Sequence, residues 1–188
     1  VTTSYRAAKS IIWDMLKTIL FPTGYLDKIN EADLTLKLVN GSMITLRGGD
    51  NPDALRGVSL DLAVIDECSY VSKRVWTEAL RPTLSDTGGG ALFISSPSGR
   101  DWFYDLWRKG QKGADYEEGW ESWQFTTLEG GNVPKSEIEA ARRDLDAKTF
   151  DQEYNASFVQ FSGLVYYGFD KEESIRDCSY RKGRTVYI

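Results

Sequence analysis

The sequence predicts an α/β fold: a parallel sheet flanked by helices, with a β-hairpin insertion and a C-terminal linker. Three observations predict it. The first is the run Leu62-Ala63-Val64-Ile65-Asp66-Glu67, in which four apolar residues, two of them β-branched, lead into two adjacent carboxylates as in a buried strand reaching a sheet edge. The second is another apolar run, Ala91-Leu92-Phe93-Ile94, ending in Ser95-Ser96-Pro97-Ser98-Gly99. Between them, Val75, Trp76, Ala79 and Leu80 recur at helical spacing. A strand, a helix and a strand in this order form a parallel pair whose C-terminal ends lie side by side, where α/β proteins place their ligands.

Ahead of this unit, Ile11, Ile12, Met15, Leu16, Ile19 and Leu20 mark an amphipathic helix from about Tyr5 to Leu20, stopped by Pro22 and Gly24. The opening Val1 to Lys9 suits a strand handing over to a helix, but judged by itself it reads more simply as an ordinary capped helix start. Alternating residues on either side of Asn40-Gly41, Leu34 to Val39 and Ser42 to Arg47, give the strongest short hairpin signal in the chain. Gly48 to Asp53 is turn-forming throughout, and Arg56 follows on a Gly-flanked stretch where a solvated surface arginine is the plain reading.

After Glu67, Ser72 is positioned to cap the second helix, and Pro82 is expected to close it. Asp101 is placed to cap a helix with Trp102, Phe103, Leu106 and Trp107 inward and Arg108, Lys109 and Lys112 outward. The aromatics read as core, not as a base-stacking platform. Trp120 to Thr127 reads as a strand, a helix runs from Pro134 through Ile138, Ala141 and Leu145, and a short one covers about Thr149 to Ala156. Short β-like pieces at 157–161 and 163–167, a charged connector at 170–177 and a strand beginning at Thr185 mark a boundary between Gln160 and Gly183.

Composition narrows the chemistry. The 188 residues contain no histidine, which removes Ser-His and Cys-His nucleophiles and His-ligated metals. Cys68 and Cys178 alone build neither a disulfide framework nor a zinc site, and they fit a reducing setting. Chemistry must therefore run on carboxylates, Arg, Lys and a metal. The net charge of −5 means that a nucleic-acid partner has to be met by a local basic patch, either Arg108, Lys109 and Lys112 or Arg142 and Arg143, although both read equally as solvated helix faces. No apolar run reaches the ~18 residues of a membrane span. A start without Met and without a secretion signal leads us to expect a fragment.

Asp66-Glu67 at the end of its strand resembles a Walker B motif, in which Asp holds Mg²⁺ through its water shell and Glu handles the attacking water. A strand simply running into a solvated loop fits the local residues as well. The Ser95 and Ser96 hydroxyls, placed beside those acids, suit bonding to water, to phosphate or to Glu67, and equally an ordinary Ser-rich turn.

Taken together, Leu55-Arg56-Gly57, Leu60 to Glu67 and Ile94 to Trp107 resemble the large terminase subunit of tailed bacteriophages or prophages, with Phe150 to Val159 similar to the segment closing that family's ATPase domain. Ser4 to Lys9 is similar to its stretch after the strand that follows the P-loop helix. The resemblance implies a partial P-loop NTPase sheet of the RecA/ASCE type, with 1–160 the later part of the ATPase domain and 161–188 a linker and first strand toward a nuclease domain. It implies that Asp66 is the Mg²⁺-associated acid, Glu67 the catalytic base, Ser95 and Ser96 the coupling and nucleotide-sensing motif, and Arg56 an arginine finger offered in trans. It further implies ATP and Mg²⁺, double-stranded DNA, a ring of terminase subunits, the portal protein and the small terminase subunit, no membrane, the bacterial host cytoplasm, and endonuclease activity at the family level. Two departures matter: no G-x-x-x-x-G-K-[ST] motif is present, and the nuclease acids lie outside the chain, so the chain alone is expected to be weak or inactive.

Two rival readings come from other classes. Asp66-Glu67-Cys68 with Ser95-Ser96-Pro97 also mimics a DEAD-like helicase fragment, which requires a second RecA-like domain. A non-catalytic partner-binding module is the other, and a carboxylate-pair nuclease within this chain lacks a second acid cluster.

Overall fold

The computed structural model describes residues 1–159. Helix α1 runs over 5–20 as α-helical Tyr5–Ala7, a π turn at Ala8–Trp13 and α-helical Asp14–Leu20, opened by Ser4, whose Oγ accepts from the Ala7 amide at 3.1 Å. A 3₁₀ turn, Phe21–Thr23, and Gly24 at φ 71° end it, as Pro22 and Gly24 dictate. Three antiparallel strands follow: β1 (Leu26–Asn30), β2 (Thr35–Leu38) and β3 (Met43–Thr45). The Asn40-Gly41 turn sits where the sequence puts it, with Gly41 at φ 88° and the Asn40 side chain accepting from the Ser42 amide. Strand β1 is additional. Its polar sequence Leu-Asp-Lys-Ile-Asn carries almost no apolar alternation, and its pairing to β2 defines it instead.

Only part of the expected apolar face of α1 is covered. Ala8 and Trp13 are buried with Leu34, Leu36 and Leu46 of the hairpin layer, and Ile12, Leu16 and Leu20 pack against them. Ile11, Met15 and Ile19, four residues apart along the helix, are exposed. Trp13 is further fixed by its indole N–H, which donates to Glu31 at 2.6 Å, while Lys17 binds the other Glu31 oxygen at 2.8 Å.

The second layer is the parallel pair β4 (Leu62–Asp66) and β5 (Gly90–Ile94), in register from Leu62 opposite Gly90 to Asp66 opposite Ile94. Helix α2 (75–85) makes the crossover, with a π turn at Val75–Leu80 followed by an α turn at Arg81–Ser85. Pro82 therefore does not end this helix. The wide π turn before it relieves the clash between a proline ring and the preceding carbonyls. Ala63 and Ile65 on one face of β4 pack with Val75, Trp76, Ala79, Leu80 and Leu84, and each large apolar side chain among them contributes about 1.5–3 kcal/mol of burial. The opposite face, Leu62, Val64, Leu92 and Ile94, is exposed.

Val1 and Thr2 join the two layers. The Val1 nitrogen donates to the Val64 carbonyl at 2.6 Å, and the Asp66 amide donates to the Val1 carbonyl at 2.8 Å. On the other side, Thr2 donates to the Arg47 carbonyl and accepts from the Gly49 amide at 2.7 Å, a parallel bridge between Thr2 and Gly48. The chain passes so closely here that a Cβ at Gly48 would overlap the Tyr5 amide nitrogen and lie 2.6 Å from the Ser4 carbonyl carbon.

Helix α3 (Trp102–Lys109) is capped by Asp101, whose Oδ1 accepts from the Phe103 and Tyr104 amides at 3.0 and 3.2 Å. Three short helices follow: α4 (Thr127–Gly130), α5 (Lys135–Asp144) and α6 (Ala147–Glu153), the last starting at the Asp146 cap two residues before its expected start. The strand expected from Trp120 to Thr127 does not form. Residues 120–126 carry no regular secondary structure, and Gly119 to Trp123 line, with Gly90 to Phe93, a cavity of about 840 Å³. Side chains tether the segment instead: Trp120 stacks on Phe93 at 5.8 Å, Ser122 donates to the Trp107 carbonyl at 2.7 Å, and Gln124 donates to the Ala156 carbonyl at 2.8 Å. Residues 157–159 are coil, and the expected boundary, connector and last strand lie outside the described residues.

Gly48→Ala is expected to destabilise the protein by about 1–3 kcal/mol, since the clash is with main chain that cannot rotate away. Equilibrium denaturation of the two forms measures it, and an unchanged midpoint would contradict the close crossing.

Candidate functional site

Asp66 closes β4, half-buried, and Glu67 follows with φ 54° and ψ 43°. A left-handed glutamate has a Cβ crowded by its own carbonyl and costs on the order of 1–2 kcal/mol, so surrounding bonds must hold it. A 3₁₀ turn, Cys68–Tyr70, does so from within, the Tyr70 amide donating to the Glu67 carbonyl at 2.9 Å and the Val71 amide to the Cys68 carbonyl at 3.1 Å. From outside, Ser95 at the end of β5 accepts the Ser69 amide on its Oγ at 3.1 Å, and the Trp102 indole donates to the Val71 carbonyl at 3.0 Å. Cys68 is completely buried beneath the turn. Burial, and secondarily the charge of Asp101, push its thiol far up, so it is inert as a nucleophile.

The register thus brings Asp66, Glu67, Ser95 and Ser96 to one edge of the parallel pair. Glu67 is exposed and Ser96 is exposed, whereas Ser95 is half-buried against the turn. Although Glu67 is exposed, nearby protein atoms displace part of the water around its carboxyl and raise its pKa, with further contributions from the charges of Asp66 and of Glu153 on α6. Sequence reasoning does not single out Glu153. It lies 86 residues from Glu67 in a short helix with no pattern that points to the acids.

Arg56 is not bonded to this edge. It follows the 3₁₀ turn Pro52–Leu55, half exposed, with its Nε 3.2 Å from Asp53 and a terminal nitrogen donating to Glu78 at 3.4 Å. Glu78 on α2 also receives the Arg74 guanidinium at 2.9 and 3.0 Å, and that hydrogen-bonded pairing holds its carboxyl below the usual glutamate range.

The two basic clusters stand on different elements. On α3, Arg108 is ion-paired with Asp115, Lys109 lies 2.8 Å from Glu117 and over the Trp120 ring, and Lys112 is exposed beyond the helix. On α5, Arg142 lies over the Phe150 ring at 4.4 Å, and Arg143 is exposed. Among the described residues no three or more acidic or cysteine side chains gather into a metal cage, and no helix is long and apolar enough to cross a membrane.

Comparison with known proteins first fixes the fold. The structure aligns with the large terminase ATPase domain of Thermus phage P74-26 at TM-score 0.65 and 26% identity, over 84% of this chain and 74% of that one. It aligns with the large terminase of a thermophilic bacteriophage at TM-score 0.72 and 22% identity, over 92% of this chain and 43% of that one. The class is therefore a P-loop-like α/β ATPase domain with a parallel sheet and flanking helices. In sequence, the family profile "Terminase large subunit, T4likevirus-type, N-terminal" matches residues 4–173. The large terminase subunit of Thermus phage G20c is 35% identical over 135 residues, 66% of this chain and 28% of the relative, and that of Escherichia phage T5 is 31% identical over 171 residues, 89% of this chain and 39% of the relative. The chain belongs to the large terminase subunit family, and it spans well under half the length of these relatives.

Because the folded state favours protonated Glu67, the stability tied to that proton is present below the ordinary glutamate range of about 4.3 and is lost as pH rises through the higher folded value. Glu67→Gln is therefore expected to melt at a higher temperature than the parent at neutral pH, with the difference vanishing below about pH 4. Melting curves across that range measure it, and an equal difference at both ends would assign the gain to something other than the charge.

Proposed function

We propose that this chain is part of the ATPase of a viral DNA-packaging motor, coupling ATP hydrolysis to DNA movement into a capsid. What supports the reading is one juxtaposition: Asp66, Glu67 and the Ser95-Ser96 turn share the carboxyl-terminal edge of a parallel pair. Asp66 is the acid that would hold Mg²⁺. A single carboxylate supplemented by water and phosphate oxygens is the donor set this hard cation uses, and a half-buried strand terminus supplies it. When bound, Mg²⁺ neutralises phosphate charge. Glu67 accepts a hydrogen bond from the attacking water and takes its proton as the bond to the γ-phosphorus forms and the bond from that phosphorus to the β–γ bridging oxygen breaks, with ADP as the leaving group, a role that its raised pKa suits. Ser95 and Ser96 carry the state of this edge into the loop before α3. A second structure of the thermophilic bacteriophage's large terminase, similar in fold to this chain, is a complex with ADP, which lends weight to nucleotide as the ligand.

Arg56 is the residue offered to a neighbouring subunit's nucleotide, where a guanidinium stabilises charge spreading over the transferring phosphoryl group. Its bonds to Asp53 and Glu78 lie at the exposed surface, where such pairs are worth about 0–1 kcal/mol, so they do not prevent redirection. Arg108, Lys109, Lys112, Arg142 and Arg143 are the cations assigned to DNA phosphates. The motor's partners are then double-stranded DNA, further copies in a ring, the portal protein and the small terminase subunit, acting in the host cytoplasm. The family's endonuclease activity is assigned to sequence other than 1–160, and 161–188 to the linker toward it.

In the full-length protein, Glu67→Gln is expected to lower ATPase kcat by about two to four orders of magnitude with little change in ATP affinity, read by steady-state hydrolysis and nucleotide binding. Unchanged kcat would favour the partner-binding module, and strand unwinding the helicase reading. Arg56→Ala is expected to lower hydrolysis while sparing binding, and mixing it with Glu67→Gln subunits is expected to restore part of the rate. No restoration at any mixing ratio would remove the trans role.

A further inference from the structure

We propose that Ser95 is a positioning residue for Glu67, acting through the main chain of the turn between them and not through a phosphate or water. The inference rests on the reading of Glu67 as the base. It begins with the left-handed Glu67, the only such residue among Leu62–Tyr70 and one whose conformation the local sequence does not favour. Two bonds within the 3₁₀ turn close it, and the buried side chains of Cys68 and Val71 seat it on the core. Two side-chain bonds tie it further to the β5–α3 side, Ser95 Oγ at the Ser69 amide and Trp102 Nε1 at the Val71 carbonyl. They clamp the turn 68–71 at points two and four residues past Glu67.

The register explains why Ser95 does this and Ser96 does not. Ile94 faces Asp66 at the end of β5, so Ser95, the residue just past the strand, arrives where its hydroxyl meets the chain leaving β4. Ser96 is exposed. Ser95 accepts a main-chain amide that would otherwise be an unpaired donor of a half-buried turn. A shift of the 95–102 segment relative to β4 therefore moves the Glu67 backbone directly. Trp102 is the second anchor of the same device.

The test is steady-state ATP hydrolysis by the full-length protein together with amide hydrogen exchange over residues 66–72. Ser95→Ala is expected to lower kcat about tenfold with KM for ATP within twofold and to speed exchange in that peptide, because the bond removed is worth about one decade. Ser95→Thr, which keeps the oxygen, is expected to restore both to within about threefold. Trp102→Phe, which deletes the other donor while keeping an aromatic ring, is expected to show the same kcat-only loss and keeps the idea testable if Ser95→Ala does not fold. In a Glu67→Gln background, Ser95→Ala is expected to cost nothing more in single-turnover hydrolysis. A further loss there, a rise in KM at constant kcat, or a Thr variant as impaired as Ala would overturn the proposal. Should Glu67→Gln itself hydrolyse at the parent rate, the proposed function falls. Should Glu67→Gln be inactive while Ser95→Ala matches the parent in rate and exchange, this inference falls alone.

Discussion

The parallel register of β4 and β5 is the constraint from which the site follows. A one-residue slip would move Ala63 and Ile65 from the α2 face to the exposed face, so the buried pair fixes the alignment far more firmly than the hydrogen bonds themselves. With Ile94 held opposite Asp66, the acids and the serine turn are delivered to the same edge with no further instruction. Aromatic contacts reinforce the arrangement from β5 outward, Phe93 meeting Trp76 edge-on at 4.8 Å and Trp102 at 6.4 Å. The edge is thereby built on the most buried part of the molecule, while its working groups stay half-buried or exposed.

Elements with a strong local signal were legible in the sequence. The strands β4 and β5 announce themselves as unbroken apolar runs, the hairpin by Asn40-Gly41, and α3 by Asp101 ahead of an aromatic run. Where tertiary contacts decide, the residues mislead. Strand β1 is polar because it lies at the edge of a three-stranded layer, with its side chains largely in water. Pro82 looks terminal until the π turn before it is seen, and Trp120 to Thr127 has strand-like residues that form no ladder among the described residues. The stripe Ile11, Met15 and Ile19 shows that apolar spacing locates a helix without saying which of its sides is covered.

For the site, the neighbourhood of Asp66, Glu67 and Ser95 could be read from the strand–helix–strand order alone. The geometry within it could not. No residue pattern encodes a left-handed glutamate, and the side chains that bond to the turn after it, Ser95 and Trp102, lie 28 and 35 residues away in sequence. The same holds for Glu78, whose i,i+4 pairing with Arg74 is readable on a helix, but whose second partner Arg56 comes from a loop. Glu78 is thus shared between two guanidiniums, of which Arg74 is the closer and better aligned.

The two-sided bonding of Val1 and Thr2 also has a mechanical meaning. Main-chain bonds on one side reach Val64 and Asp66 of β4 and on the other reach Arg47 and Gly49 across the parallel bridge between Thr2 and Gly48. A pull along the strand direction loads the bonds of each seam together, in shear, instead of peeling them one after another. A force delivered to the hairpin layer is therefore carried to the end of β4 with little slack.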